Sequence, residues 1–249
     1  MTTPPQTTQP EQEKKLAART ALRWVRNGML VGLGSGSTAA FFIAALGEFI
    51  RRGDLQVQAT ATSLASETLA RQAGIPLVEP RRGLRFDLTV DGADELDAHL
   101  RLVKGGGGAL LREKVLATAS DYLLIVADSS KVVPQLGRFP LPLEVVPFAL
   151  PWVLDAVAAL GGAPVLRLMK NDPTEAARSD QNNFLVDCHF GAVPDPEQLA
   201  FRLQVIPGIV EHGLFLGLAQ AAIIAHETEV FVHQPGAEPV AAASFRALP

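Results

Sequence analysis

Apolar residues recur along the chain in two rhythms. In residues 11–26, "EQEKKLAARTALRWVR", Leu16, Leu22 and Val25 share one helical face, and Asn27-Gly28 predicts where the helix stops. Strand and helix patterns then alternate. "MLVGL" predicts a strand, "TAAFFIAALGEFIRR" a helix, "LQVQATA" a strand and "SETLARQAG" a helix ending at Gly74. The short "PLVE" comes next, then the strand "FDLTVD", a helix over about 108–120 and the strand "YLLIVAD". Strands separated by helices at this pitch imply right-handed βαβ units. The fold class is therefore α/β: a mostly parallel, Rossmann-like sheet flanked by helices on both faces.

After "DSSKVVPQLGRF" the texture changes. The proline-spaced "FPLPLEVVPFALP" opens a stretch that reads strand, helix, strand, strand, helix, in "LEVV", "PWVLDAVAAL", "PVLRLM", "NFLVDC" and "PEQLAFRL". This predicts a smaller α+β module over 139–207, lid-like and inserted into a main domain of 13–138 and 208–249. The last stretch, from "GIVEHGLF" to "VFVHQ", is rich in strand formers and is expected to return to the first sheet. Residues 1–12, rich in Pro, Thr and Gln, read as a disordered tail without the basic start or apolar core of a signal peptide.

Composition narrows the possible functions. Of 249 residues, 48% are hydrophobic and 19% charged, as in a folded globular protein. A net charge of −4 without a basic cluster argues against a nucleic-acid partner. The single cysteine, Cys188, excludes an internal disulfide and any multi-cysteine metal site; it suits a reducing compartment, and the expected location is cytoplasmic. Residues 28–47 carry no charge over twenty positions. Their five glycines, with Ser35, Ser37 and Thr38, cut the run at its middle, so it is not read as a membrane span.

Three clusters follow predicted strands, where the carboxyl ends of an open α/β sheet form a ligand crevice. "GSGST" (34–38) offers backbone N–H groups at a helix start and suits a phosphate, although a tight turn without ligand fits it almost equally. It lacks the Gly-Lys-Ser/Thr ending of a nucleotide P-loop. The dinucleotide pattern is met by Gly34, Gly36 and Ala39, but no acid ends the second strand in "VQATATSLAS". "DGADELD" holds Asp91, Asp94, Glu95 and Asp97. Such residues are ordinary in turns and caps, yet Asp91 ends an apolar strand where a buried carboxylate needs a partner. Lys104 ends the next possible strand, "HLRLV", and could supply that partner. "KGGGG" fits a flexible linker as well as a loop that a ligand approaches closely. Glu113, between Arg112 and Lys114, reads on its own as a solvated helix residue. The histidines show no metal-ligand spacing.

In this order, "GLGSGSTA", "DGADELD", "KGGGGALLREK" and "DSSK" resemble the motifs of ribose-5-phosphate isomerase of the A type, over roughly residues 14–235. "FPLPLEVVPFA" and "IPGIVEHGLF" resemble family segments too. The resemblance implies an aldose-ketose isomerase of the pentose phosphate pathway, acting on a sugar phosphate without metal or organic cofactor, and a homodimer. It assigns Glu113 as the proton-transferring base, with Asp91, Asp94 and Lys104 handling sugar oxygens and the enediolate. Ser35, Gly36, Ser37, Thr38, Gly92, Ala93, Gly105, Gly106, Gly107 and Lys131 are implied to bind substrate, with Lys14 a weaker candidate. Ser35 stands where the family usually has threonine, Leu111 where threonine is common, and Leu64 where a polar residue is frequent. A sugar-phosphate sensor on the same fold is a rival, but only one helix precedes the sheet and no DNA-binding module is evident. A dinucleotide oxidoreductase is a second rival, weakened by the missing acid.

Overall fold

A computed structural model describes residues 8–247. Helix α1 (Gln9–Ala21) precedes strand β1 (Leu30–Leu33), helix α2 (Gly36–Arg51), β2 (Gln58–Ala61), α3 (Leu64–Gln72) and β3 (Leu88–Asp91). Two short strands, β4 (Glu95–Leu96) and β5 (Leu102–Val103), lead to α4 (Leu110–Thr118) and β6 (Leu123–Asp128). Then come β7 (Leu141–Val145), α5 (Leu150–Ala159), β8 (Ala163–Leu166), β9 (Phe184–His189) and α6 (Pro196–Gln204). The chain closes with β10 (Ile209–His212), β11 (Leu214–Phe215), β12 (Ala221–His226), β13 (Glu229–His233) and β14 (Val240–Ala241).

Seven strands form the main sheet in the order β14-β13-β12-β6-β3-β1-β2. The five from β12 to β2 are parallel, and β13 and β14 add an antiparallel edge. All six residues of β6 are buried, as expected of a central parallel strand covered on both faces. Helix α2 turns Phe42, Ile43 and Leu46 inward, and these pack with Val31, Leu33 and Trp24. Each such fully buried side chain stabilises the fold by about 1.5–3 kcal/mol before the cost of ordering it.

A second, antiparallel sheet runs β10-β7-β9-β8, with α5 and α6 packed on it through Val153, Val157 and Leu203. A third, of strands two residues long, runs β11-β5-β4.

The alternation of strands and helices matches the sequence reading, and the differences have local causes. Residues 1–7 of the expected tail lie outside the described residues, but α1 already begins at Gln9, short of the expected boundary at 13. Pro10 is tolerated in a first helical turn, and a Glu11–Lys15 pair at 2.7 Å supports it. "HLRLV" is extended only at its end, because Asp97 accepts N–H groups from His99 and Arg101 and folds 97–101 into a turn. The last stretch returns to the main sheet only from β12 onward. Strand β10 pairs with β7 instead, so the second sheet extends past 207.

Glu13 ties α1 to the sheet. It is buried; Oε2 accepts from Ser129 N and Oγ at 3.1 and 2.9 Å, and Oε1 accepts from Glu227 N at 2.8 Å. Glu13→Ala leaves those donors without their acceptor and should lower unfolding free energy by about 1–3 kcal/mol. Urea denaturation measures this, and an unchanged midpoint would contradict the anchoring role.

Candidate active site

The carboxyl ends of β1, β3 and β6 lie side by side, and the chain leaves each through a polar turn: Gly34–Thr38, Gly92–Asp94 and Ser129–Lys131. These turns, with the glycine run and the first turn of α4, enclose a small cleft. Its walls are Lys14, Ser35, Gly36, Ser37, Thr38, Gly92, Ala93, Asp94, Lys104, Gly105, Gly107, Glu113 and Lys131. Two residues singled out from sequence stand just behind the wall. Asp91 lies beneath the cleft, and Gly106 faces Asp94.

The first turn is shaped around Asp91. A Cβ on Gly34 would lie 2.1 Å from Asp91 Oδ1, so only glycine lets that carboxylate sit against the backbone. Asp91 Oδ1 accepts N–H groups from Ser35 at 3.0 Å and Gly92 at 2.7 Å. Ser35 Oγ is held by Thr62 Oγ1 at 2.7 Å and Ser63 Oγ at 2.8 Å, and Ser66 Oγ donates to Gly34 O at 2.7 Å. Sequence reading missed this hydroxyl cluster. It occupies the end of β2, where a dinucleotide site would carry its acid. Gly36, at φ +89°, then starts α2 with its N-terminus at the cleft, a place suited to an anion. Lys14 and Lys131 supply positive charge on the same wall, and Lys14 Nζ is 4.0 Å from the buried Asp128.

At the other end lies Lys104, 3% exposed. Its Nζ donates to Gly92 O at 2.6 Å and lies 3.0 Å from Asp91 Oδ2 and 3.4 Å from Glu113 Oε2. Asp94 Oδ2 accepts from Gly106 N at 2.7 Å. A Cβ on Gly106 would come within 2.7 Å of Asp94 Oδ1, and Gly105 sits at φ +102°, so the run is a built loop rather than a linker.

Glu113, which reads as a solvated residue when taken alone, is 5% exposed and faces the cleft. The helix turns its neighbours elsewhere: Arg112 reaches Asp180 at 3.6 Å and Lys114 reaches Glu211 at 2.6 Å. Burial raises the Glu113 pKa; Lys104 opposes this, Asp91 and Asp94 reinforce it, and the result is about 8. Burial also works against the Lys104 ammonium, but Asp91 and Glu113 outweigh it and raise its pKa. A carboxylate with heightened proton affinity beside a fixed cation and free loop backbone is equipped to take up and return a proton. Among the described residues, no group of three or more His, Cys, Asp or Glu side chains is arranged to hold a metal.

The profile of a family described as Ribose 5-phosphate isomerase A (phosphoriboisomerase A) matches residues 58–229. Ribose-5-phosphate isomerase A of Parvibaculum lavamentivorans is 46% identical over 218 residues, 86% of this chain and 94% of that one. The Roseiflexus castenholzii protein of the same name is 48% identical over 214 residues, covering 85% and 91%. The structure of ribose 5-phosphate isomerase A from Methanocaldococcus jannaschii superposes with a TM-score of 0.85 at 36% identity, covering 90% of this chain and 99% of that one. A D-ribose-5-phosphate isomerase solved in complex with phospho-erythronic acid gives 0.88 at 33% identity, covering 91% and 100%.

The Glu113 environment sets a pH dependence of stability. Its folded pKa stands above the ordinary 4.5, so the folded chain keeps a proton that the unfolded chain releases. The associated stability is present below about pH 4.5 and is lost as pH rises through about 8. Glu113→Gln removes that loss, so its urea midpoint relative to the parent should climb between pH 5 and 9 as followed by fluorescence. A difference that stays constant over that range would contradict the burial effect.

Proposed function

The chain belongs to the ribose 5-phosphate isomerase A family, and from that premise we propose that it interconverts D-ribose 5-phosphate and D-ribulose 5-phosphate through an enediolate, with Glu113 as the base. The observation that carries the proposal is the buried Glu113 carboxylate facing the cleft, 3.4 Å from Lys104 and in the same cleft as the helix start that suits a phosphate. The complex of a related isomerase with phospho-erythronic acid supports a phosphorylated sugar as ligand.

In the proposed reaction the phosphate lies at Ser37 and Thr38, against the α2 N-terminus, with Lys14 and Lys131 beside it. The open-chain sugar then extends toward Lys104. Glu113 takes the proton from C2 of the aldose, and the C1=O electrons become the oxyanion of an enediolate. Lys104 and the free amides of the glycine loop stabilise that charge, while Asp94 orients a hydroxyl. A proton moves from O2 to O1, Glu113 returns its proton to C1, and the ketose forms with no net change in protons or electrons. One base reaching two adjacent carbons suffices.

Asp91 orients Lys104 and the Ser35 and Gly92 amides from beneath. A homodimer in the cytoplasm, serving the pentose phosphate pathway, completes the proposal. No described helix is long and apolar enough to cross a membrane. The neighbouring rings of Phe148 and Trp152, 82% and 62% exposed, are apolar surface of the kind a second subunit covers.

Incubation of the protein with ribose 5-phosphate alone should yield ketose, followed by its absorbance. Binding without turnover would leave only a sensor. Glu113→Gln should lower kcat by roughly 10²- to 10⁴-fold with little change in KM. In the parent, kcat/KM should rise with pH and level off above about 8, as the free-enzyme carboxylate ionises. A flat profile from pH 6 to 9, or a Gln variant with near-normal turnover, would remove Glu113 from the chemistry.

A further inference from the structure

A side chain from the edge of the second sheet hydrogen-bonds the glycine loop. Arg167 follows β8, and its Nε donates to Asp187 Oδ2 at 2.9 Å while Nη2 donates to Asp187 Oδ1. This fork holds the guanidinium plane and leaves Nη1 pointing outward. Nη1 donates to Gly105 O and Gly106 O, each at 3.2 Å. Both partners are largely enclosed, with side chains 18% and 22% exposed.

Peptide planarity gives these bonds a consequence at the cleft. In a trans peptide the carbonyl and the following N–H point in opposite directions. With Gly105 O turned to Arg167, the N–H of Gly106 must face the other way, and there it meets Asp94 at 2.7 Å. With Gly106 O turned to Arg167, the N–H of Gly107 likewise faces away, and Gly107 is a wall residue of the cleft. Nothing lies within 4 Å of where a Gly107 Cβ would be, so the loop is open there. Glycines have no side chain to set their peptide planes. The Gly105–Gly106 plane is also held by Gly108 N, which donates to Gly105 O at 2.9 Å, and by Asp94, whereas Arg167 is the group that holds Gly106 O.

We propose that Arg167 is a positioning residue for the isomerase reaction: locked by Asp187, it shares the Gly105–Gly106 peptide plane with Gly108 N and Asp94 and sets the Gly106–Gly107 plane, so that the Gly107 amide is aimed at the oxyanion of the bound sugar. The inserted module thereby completes the site without touching substrate. Lysine cannot replace this residue, because an ammonium cannot both fork onto Asp187 and reach two carbonyls in a fixed plane. The proposal rests on the isomerase reading, and the test separates the two.

In the full-length protein, Arg167→Ala should speed amide hydrogen exchange at Gly106 and Gly107 at least tenfold by NMR, a readout that needs no substrate. Its kcat on ribose 5-phosphate should fall roughly 10- to 100-fold with KM within about threefold, as when a preorganised oxyanion donor is loosened. Millimolar guanidinium should restore part of that kcat, and Arg167→Lys should not. Unchanged amide exchange overturns the clamp whether or not the parent turns over the sugar. Faster exchange with parental kcat, or a loss carried wholly by KM, overturns its part in the reaction. Parent protein that leaves ribose 5-phosphate unconverted defeats the isomerase reading and with it this catalytic role, while the exchange data still decide the clamp. Should Arg167→Ala fail to fold, Asp187→Ala frees the guanidinium from its fork; parental exchange and kcat in that variant overturn the proposal equally.

Discussion

One buried ammonium among three carboxylates constrains everything around it. Lys104 lies 3.0 Å from Asp91 and 3.4 Å from Glu113, and Asp94 adds a third negative charge nearby. Removing charges from water is costly, and a single cation cannot compensate all of these acids at once. Asp91 lies nearer the cation and also accepts from Ser35 N and Gly92 N, although burial still raises its pKa. Glu113 is left with the cation at longer range and with a proton affinity well above that of a solvated carboxylate. Holding Glu113 this way costs stability and heightens its affinity for a proton.

Holding that arrangement explains features that look unrelated. The three-stranded sheet exists to place Lys104: its N–H donates to Gly213 O at 2.9 Å, and its ammonium lies 5.4 Å from the centre of the Phe215 ring, so β5 and β11 fix both ends of the residue. Helix α4 acts as a hub. Successive residues on a helix point about 100° apart, so Arg112, Glu113 and Lys114 face three ways. Arg112 meets Asp180 of the second module, Glu113 the cleft, and Lys114 both Glu211 and the carbonyl of His212 on β10. The catalytic candidate is therefore braced on one side by an ion pair to the turn between β8 and β9 and on the other by one to β10, and Arg167 adds a third tie at the glycine loop.

Much of this was legible from residues alone, and the limits are physical. Periodicity revealed the main strands and helices because each buries a regular face, and the turns after β1 and β3 stood out through glycine and aspartate at strand ends. Two-residue strands such as β4, β5 and β11 carry no period to detect. Whether β10 joins one sheet or the other depends on pairing with β7, which is tertiary. "LREK" spells a solvated surface, so the burial of Glu113 became visible only through the family resemblance or the coordinates. Arg167 follows β8 and Asp187 sits on β9, strands whose alternation matches any half-exposed strand. Thr62, Ser63 and Ser66 read as ordinary cap and turn residues; Ser63 is indeed the N-cap of α3, accepting from Ser66 N.

The central claim is electrostatic, so the most direct measurement is a titration of the Glu113 side-chain carboxyl by ¹³C NMR, with the Glu113→Gln variant identifying the resonance. Burial, only partly offset by Lys104 and reinforced by Asp91 and Asp94, predicts a midpoint near 8 in the ligand-free protein. A midpoint in the ordinary carboxylate range, about 4 to 5, would mean that Glu113 is fully compensated or hydrated, and the account of this site as a proton-transfer centre would fail.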